Sequence, residues 1–166
     1  MLFRSLLVWV RGAAPFVAWE LSRDHDHCFS MATLPAKVWS ESGREVMAYF
    51  EERGTRLPLV PDAVRGLRLR GACTCRLPSG TRTPHLYYVS EDHKLSLFVV
   101  PKTVRFDTRY AAVSRGKAVR LLRVGGSVLG IVGEDEDDVE AFRRSFATSV
   151  ARAAVLREAP AFSPTP

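Results

Sequence analysis

The sequence predicts an α+β domain: an antiparallel sheet of about five strands with two helices packed on one face, preceded by an N-terminal apolar helix. Two observations carry this. Short β-type runs follow one another between residues 67 and 100 with turn-length gaps, too short for the crossovers that parallel strands need, and a further hairpin follows at 118–132. Two amphipathic segments with helix-start chemistry bracket that run, one at residues 42–53 and one from Glu134 onward. With 166 residues, 46% hydrophobic and 25% charged, the chain suits one soluble core. The expected divisions are an apolar segment at 1–21, the folded domain at 22–158 and a disordered proline-rich tail at 159–166.

Residues 2–21 are apolar except for Arg4, Ser5, Arg11 and Glu20. A membrane span wants about 20 apolar residues, and Arg11 near the middle would cost roughly 2.5–3.5 kcal/mol on insertion. The segment therefore reads as a degraded or truncated transmembrane helix, or as a hydrophobic helix lying on the domain. If inserted, its charges favour an N-inside, C-outside orientation.

Ser42-Gly-Arg-Glu45 has the spacing of a capping box, in which the serine hydroxyl and the glutamate each satisfy a backbone N–H of the first turn. Val46, Met47 and Phe50 recur at helical spacing, and Gly54 suits the left-handed residue past the helix end. Residues 55–61 are an extended link, because Pro58 and Pro61 bias their predecessors away from helix.

Leu67-Arg68-Leu69-Arg70 alternates with period two, leucines inward and arginines outward. Gly71 marks a bulge before residues 72–77, and Pro78-Ser79-Gly80-Thr81 is turn chemistry. Residues 85–89 and 95–100 are further strands around a turn at 91–94, the second ended by Pro101. Residues 103–116 are polar and read as an irregular loop, and 118–124 with 128–132 as a last hairpin. The acids from Glu134 to Asp138 suit the positive end of a helix dipole, followed by a stripe of Val139, Phe142, Phe146 and Val150.

The net charge of +6 comes mainly from arginine, since the only lysines are Lys37, Lys94, Lys102 and Lys117. The arginines are scattered among acids and apolar residues, without a long basic run or an RNA-binding aromatic signature, so no nucleic-acid partner is expected. The sequence contains no G-x-S-x-G, H-E-x-x-H or P-loop motif. Gly125-Gly126-Ser-Val-Leu-Gly130 is a hairpin rather than a phosphate cradle, and the acids at 134–138 lack the alternating spacing of a calcium loop.

The ligand-type residues concentrate in Asp24-His25-Asp26-His27-Cys28-Phe29 and around Cys73 and Cys75. Cys73 and Cys75, two apart on a strand, share a face. His25 and Cys28, three apart, share a face if their segment is helical. With Cys75 and His85 they make a two-Cys, two-His set that zinc or copper would accept, or a haem iron using fewer of them. Three buried thiols, or a disulfide from Cys28 to Cys73 or Cys75, are the competing readings. His93 sits in a polar turn and reads as a solvated residue.

The order of these features resembles the periplasmic domain of bacterial membrane-anchored anti-sigma factors. The resemblance rests on Asp24, His25, Cys28 and Phe29, residues 67–75, His85 and Tyr88, and residues 96–101, spanning about 21–150. It implies a single-pass inner-membrane regulator with its folded domain in the periplasm and a sigma factor or other regulatory protein as partner. The cytoplasmic sigma-binding region of that family is expected to be lacking, so the chain is either truncated or works with a separate partner. Only His25, Cys28, Cys75 and His85 carry over as candidate sensing ligands, while Cys73 and His27 fall at variable positions. The function expected is a non-enzymatic sensory or regulatory domain responding to metal, haem or thiol oxidation. The competing expectation is a small metal- or thiol-dependent redox protein.

Overall fold

The computed structural model describes residues 13–100, 102–104, 109–124 and 126–158, excepting the side chains of 149–158. The expected tail, the Pro101 strand end, Gly125, the Val150 side chain and the first part of the apolar segment lie outside the described residues.

Among the described residues, three helices and seven strands follow in chain order: α1 (Ala14–Ser30), α2 (Gly43–Glu51), β1 (Ala63–Val64), β2 (Leu67–Arg76), β3 (Arg82–Val89), β4 (Lys94–Val100), β5 (Arg109–Ser114), β6 (Lys117–Val124), β7 (Ser127–Gly133) and α3 (Glu136–Glu158). The strands form one half-barrel sheet, ordered β1-β2-β3-β4-β7-β6-β5 and antiparallel at every pairing.

This corrects the expected fold in two respects. The sheet has seven strands rather than about five, because β5 lies within the presumed loop at 103–116 and β1 adds a short edge. Strand β5 has no fully buried residue: Tyr110, Ala112 and Ser114 are half-buried on one side, with Tyr110 on the α1 cluster, while Ala111 and Val113 on the other side are exposed, so its sequence carries no apolar alternation. The hairpins that add these edges turn on Arg65-Gly66 and Arg115-Gly116, with φ positive at all four residues. Such turns match the twist of the strands they join.

The second correction concerns the N-terminal helix. The segment from Ala14 to Leu21 continues without a break through the His/Cys stretch to Ser30, as one helix seated on the sheet. No described helix is long and apolar enough to cross a membrane. Ala14, Val17, Ala18 and Leu21 pack on Phe98, Val100, Val119, Leu121, Val128 and Val132, the face opposite α2 and α3. Helices therefore cover both faces. On the other side, Val46 and Phe50 of α2 with Val139, Phe142 and Phe146 of α3 cover Leu67, Leu69, Leu86, Tyr88, Leu95, Leu97, Leu129 and Ile131.

The period-two alternation of β2 begins as its sequence requires, with Leu67 and Leu69 buried and Arg68 and Arg70 exposed. At Gly71 the register with β3 shifts. A Cβ there would lie 2.5 Å from the Val38 carbonyl oxygen, so glycine permits the crossing segment to bridge Ala72. Beyond this bulge Cys73 and Cys75 point to the α1 side.

The helix starts are local. Ser42 makes no side-chain cap; Asp62 Oδ1 accepts from Gly43 N at 2.7 Å, while Glu45 receives the Ser40 hydroxyl at 2.6 Å. The expected capping box is thus replaced by the carboxylate of Asp62, just past the extended link. For α3, Asp135 Oδ1 accepts from the backbone N–H of Asp137 and Asp138 at 2.7 and 3.2 Å, the conventional N-cap role for aspartate.

Candidate metal centre

Helix α1 brings four polar side chains to the sheet. Glu20, Ser22 and His25 are buried, as is Cys28 one turn further on. Ser22 bonds back to the Ala18 carbonyl at 2.8 Å, and Glu20 Oε1 accepts from Ser79 N at 2.5 Å, tying α1 to the β2–β3 turn. Asp24 and Cys28 are four residues apart and so lie one above the other on the helix. Opposite them stand Cys75 from β2 and His85 from β3, on the face that also presents Cys73, Tyr87 and Ser96.

One atom each from Asp24, Cys28, Cys75 and His85 lies within 4.8 Å of all the others. Cys28 Sγ is 4.0 Å from Cys75 Sγ and 3.8 Å from His85 Nδ1, and Cys75 Sγ is 3.3 Å from His85 Nδ1. Asp24 Oδ2 is 3.1 Å from His85 Nδ1 and 3.9 Å from Cys28 Sγ. Four ligands around a tetrahedral zinc, at its usual bond lengths, would be separated by about 3.8 Å for sulfur–sulfur, 3.5 Å for sulfur–nitrogen or sulfur–oxygen and 3.3 Å for nitrogen–oxygen. These five separations lie within about 0.4 Å of those edges, and all six pairs are within 4.8 Å, so the tetrad is close to a tetrahedral ligand set.

A hydrogen-bonded chain stands behind His85. Its Nε2 is 2.7 Å from Ser96 Oγ, which is 2.8 Å from His25 Nδ1, and all three residues have no exposed surface. If His85 offers the lone pair of Nδ1 to a cation, Nε2–H donates to Ser96, whose hydroxyl donates to His25 Nδ1. His25 then carries its own proton on Nε2, a buried atom with no protein partner. Metal-bound histidines are commonly oriented this way through their second nitrogen.

The charges fit a cation. Burial, then the neighbouring His85, hold His25 down at about 3, so its ring is neutral. The contact with Cys75, followed by His85, draws Cys28 down to about 5 against the opposing effect of burial. Cys75 is pushed up because it donates to both Cys28 and Cys73. Burial works against a charge on His85, yet the bonds to Asp24 and Cys28 outweigh it and hold its pKa above the ordinary value. In the metal-free cluster these shifts favour a thiolate at Cys28 and a proton at Cys75 and at His85, in the space a divalent ion would take.

Of the four residues expected as ligands, Cys28, Cys75 and His85 converge and His25 stands behind them. Asp24 takes the fourth place. Its signal was the i, i+4 spacing to Cys28, which becomes decisive only once the segment is a helix. His27 is exposed and lines a cleft of about 240 Å³ with Arg23, Asp24, Arg76 and Pro78, which opens beside the tetrad. Cys73 lies outside the tetrad, 3.0 Å from Tyr87 Oη. His93 is in the β3–β4 turn, paired with Asp138 and remote from the centre.

No protein-family model matches the chain, and no curated protein or solved structure is significantly similar to it.

Proposed function

We propose that the chain is a non-enzymatic regulatory domain in which a metal ion, best matched by zinc, fastens α1 to the sheet. The carrying observation is the convergence of four ligand atoms, two from one helix and two from neighbouring strands, within 4.8 Å. Two thiolates, an imidazole and a carboxylate form a borderline-soft donor set, for which zinc is the natural divalent guest. A haem iron takes one or two axial protein ligands, so it would leave most of this set unused. The same donors close all four tetrahedral positions, an arrangement typical of structural and regulatory ions rather than of those that hold a substrate.

The regulatory half of the reading comes from the likeness to extracytoplasmic anti-sigma domains. On it, the folded domain stands in the periplasm at the inner membrane, and occupancy of the centre sets whether the face of α1 is offered to a regulatory partner. Binding that joins two elements shifts a two-state arrangement by its differential affinity for the closed form.

The test is metal analysis of the purified chain, with cobalt substitution. One equivalent of zinc, and an intense cobalt–thiolate absorption matching two sulfurs, are expected. Metal-free protein that takes up neither ion would overturn the proposal.

A further inference from the structure

Three sulfurs and a phenol meet beneath α1, more than the metal tetrad uses. Tyr87 Oη lies 3.0 Å from Cys73 Sγ, 3.6 Å from Cys28 Sγ and 3.9 Å from Cys75 Sγ. The shortest sulfur–sulfur contact is Cys73 to Cys75, at 2.9 Å, against 4.0 Å for Cys28 to Cys75. The shorter contact is the wrong one for a disulfide. Residues two apart on a strand project parallel side chains about 6.7 Å apart, whereas a disulfide needs Cβ atoms about 3.5–4.5 Å apart. Both cysteines are fixed in the ladder, Cys73 opposite His85 and Cys75 opposite Thr83, so the strand cannot contract. Cys28 is on a separate element and is free of that constraint.

We propose that Cys28 and Cys75 are a modification site, a reversible disulfide made by a peroxide, which replaces the metal as the link between α1 and β2. The proposal rests on the metal reading only for its starting state. Cys75 is the half-buried member of the three, beside Cys28 and Cys73 at 2% and 4% exposure, so the oxidant meets it first. With an ion bound, Cys75 would lack the proton it keeps in the metal-free cluster; this thiolate attacks one peroxide oxygen, the O–O bond breaks, and Cys75 sulfenic acid and hydroxide result. The Cys28 thiolate then attacks the Cys75 sulfur, forming the S–S bond and expelling a second hydroxide. Two electrons pass from the sulfurs to the peroxide, and an ion held by both thiolates is released. Cys73 keeps its Tyr87 contact.

The experiment treats the full chain, as purified, with hydrogen peroxide, alkylates the remaining thiols and maps peptides without reduction. Expected are the loss of two of three thiols, a Cys28–Cys75 cross-link reversed by dithiothreitol, alkylated Cys73, and metal release in step with the cross-link. Cys73→Ser should retain the cross-link, and Cys28→Ser should leave a Cys75 sulfenic acid that dimedone traps. A Cys73–Cys75 link, a disulfide between chains, or sulfonic acid without a cross-link overturns the proposal. Cross-linking in protein that binds no metal would sustain it while refuting the metal reading, so the two failures are distinguishable.

Discussion

Asp24 Oδ2 lies 3.1 Å from His85 Nδ1, the atom of the ring turned toward the two sulfurs. The carboxylate thus occupies the ligand corner for which the sequence offered His25. Removing it strips one donor from the ion and the negative partner from His85. Asp24→Ala should weaken zinc by at least the 10–100-fold typical of losing an outer hydrogen-bond partner, whereas Asp24→Cys should retain binding. Competition with a chromophoric chelator measures both, and an unchanged affinity in Asp24→Ala would remove this residue from the centre.

The sulfurs divide differently. Cys28→Ala and Cys75→Ala each take away a ligand and should lower zinc affinity to a similar degree. Cys73→Ala removes a contact to Tyr87 and Cys75 but no member of the tetrad. Its affinity should stay within a few-fold of wild type. In the cobalt-substituted protein, sulfur-to-metal absorption should fall by about half in the first two variants, since two thiolates contribute to it. Equal loss in Cys73→Ala would put three sulfurs on the metal.

His25 acts through Ser96 rather than on the ion. His25→Phe leaves the Ser96 hydroxyl without its acceptor and lets His85 rotate, so zinc should bind about 10–100-fold more weakly with the number of metal–sulfur bonds unchanged. His25→Asn, which retains an acceptor, should recover part of the affinity. X-ray absorption at the metal edge distinguishes this from loss of a ligand, which would change the coordination set.

Much of this was legible in the residues and some was not. The central strands announced themselves, because Leu67 and Leu69, Leu86 and Tyr88, and Leu95 and Leu97 bury one face with period two. The edge strand Arg109–Ser114 did not, because its inward residues Tyr110, Ala112 and Ser114 are only half-buried and its apolar Ala111 and Val113 face outward. Three ligands were readable by type and position. The fourth was hidden by the boundary drawn between an apolar segment ending at residue 21 and the folded domain, which separated Leu21 from Asp24 although both lie on one helix. Burial of Glu20, Ser22 and His25 on an apolar helix face is a tertiary effect, made tolerable by Ser79, the Ala18 carbonyl and Ser96.

The two buried histidines give pH dependences of opposite sign in chelator-treated protein. His25 is lowered from 6.5 to about 3, so between those values the unfolded chain binds the additional proton. Its contribution is present above pH 6.5 and is lost as pH falls toward 3, with a slope approaching about 1.4 kcal/mol per pH unit. His85 is raised, so its contribution is complete below 6.5 and is lost as pH rises through the folded value. Denaturant unfolding at a series of pH values should show the acid-side slope shrink in His25→Asn by about one proton's worth. A slope unchanged from wild type would mean that His25 is not buried neutral.

Leu21 seats α1 on the sheet at Gly130, and the ligands of the next turn depend on that seat. A Cβ at Gly130 would stand 2.3 Å from Leu21 Cδ1 and 3.4 Å from Leu121 Cδ2. Strand β7 is paired on both sides at this point, to Phe98 and to Leu121, so its backbone cannot retreat. Leu21 has no exposed surface, so its displacement must be taken up within the core. Gly130→Ala should therefore cost about 1–3 kcal/mol, the usual range for overpacking, while Leu21→Ala should cost about 2–5 kcal/mol for the cavity it leaves. Combined, the two changes should cost less than their sum, because the new methyl occupies part of the space the leucine vacates. Because Asp24 follows Leu21 by one helical turn, Gly130→Ala should also weaken zinc, and Leu21→Ala in the same chain should restore part of that loss. Urea unfolding and zinc competition on the four proteins measure both couplings, and strict additivity in each would show that α1 does not rest on Gly130.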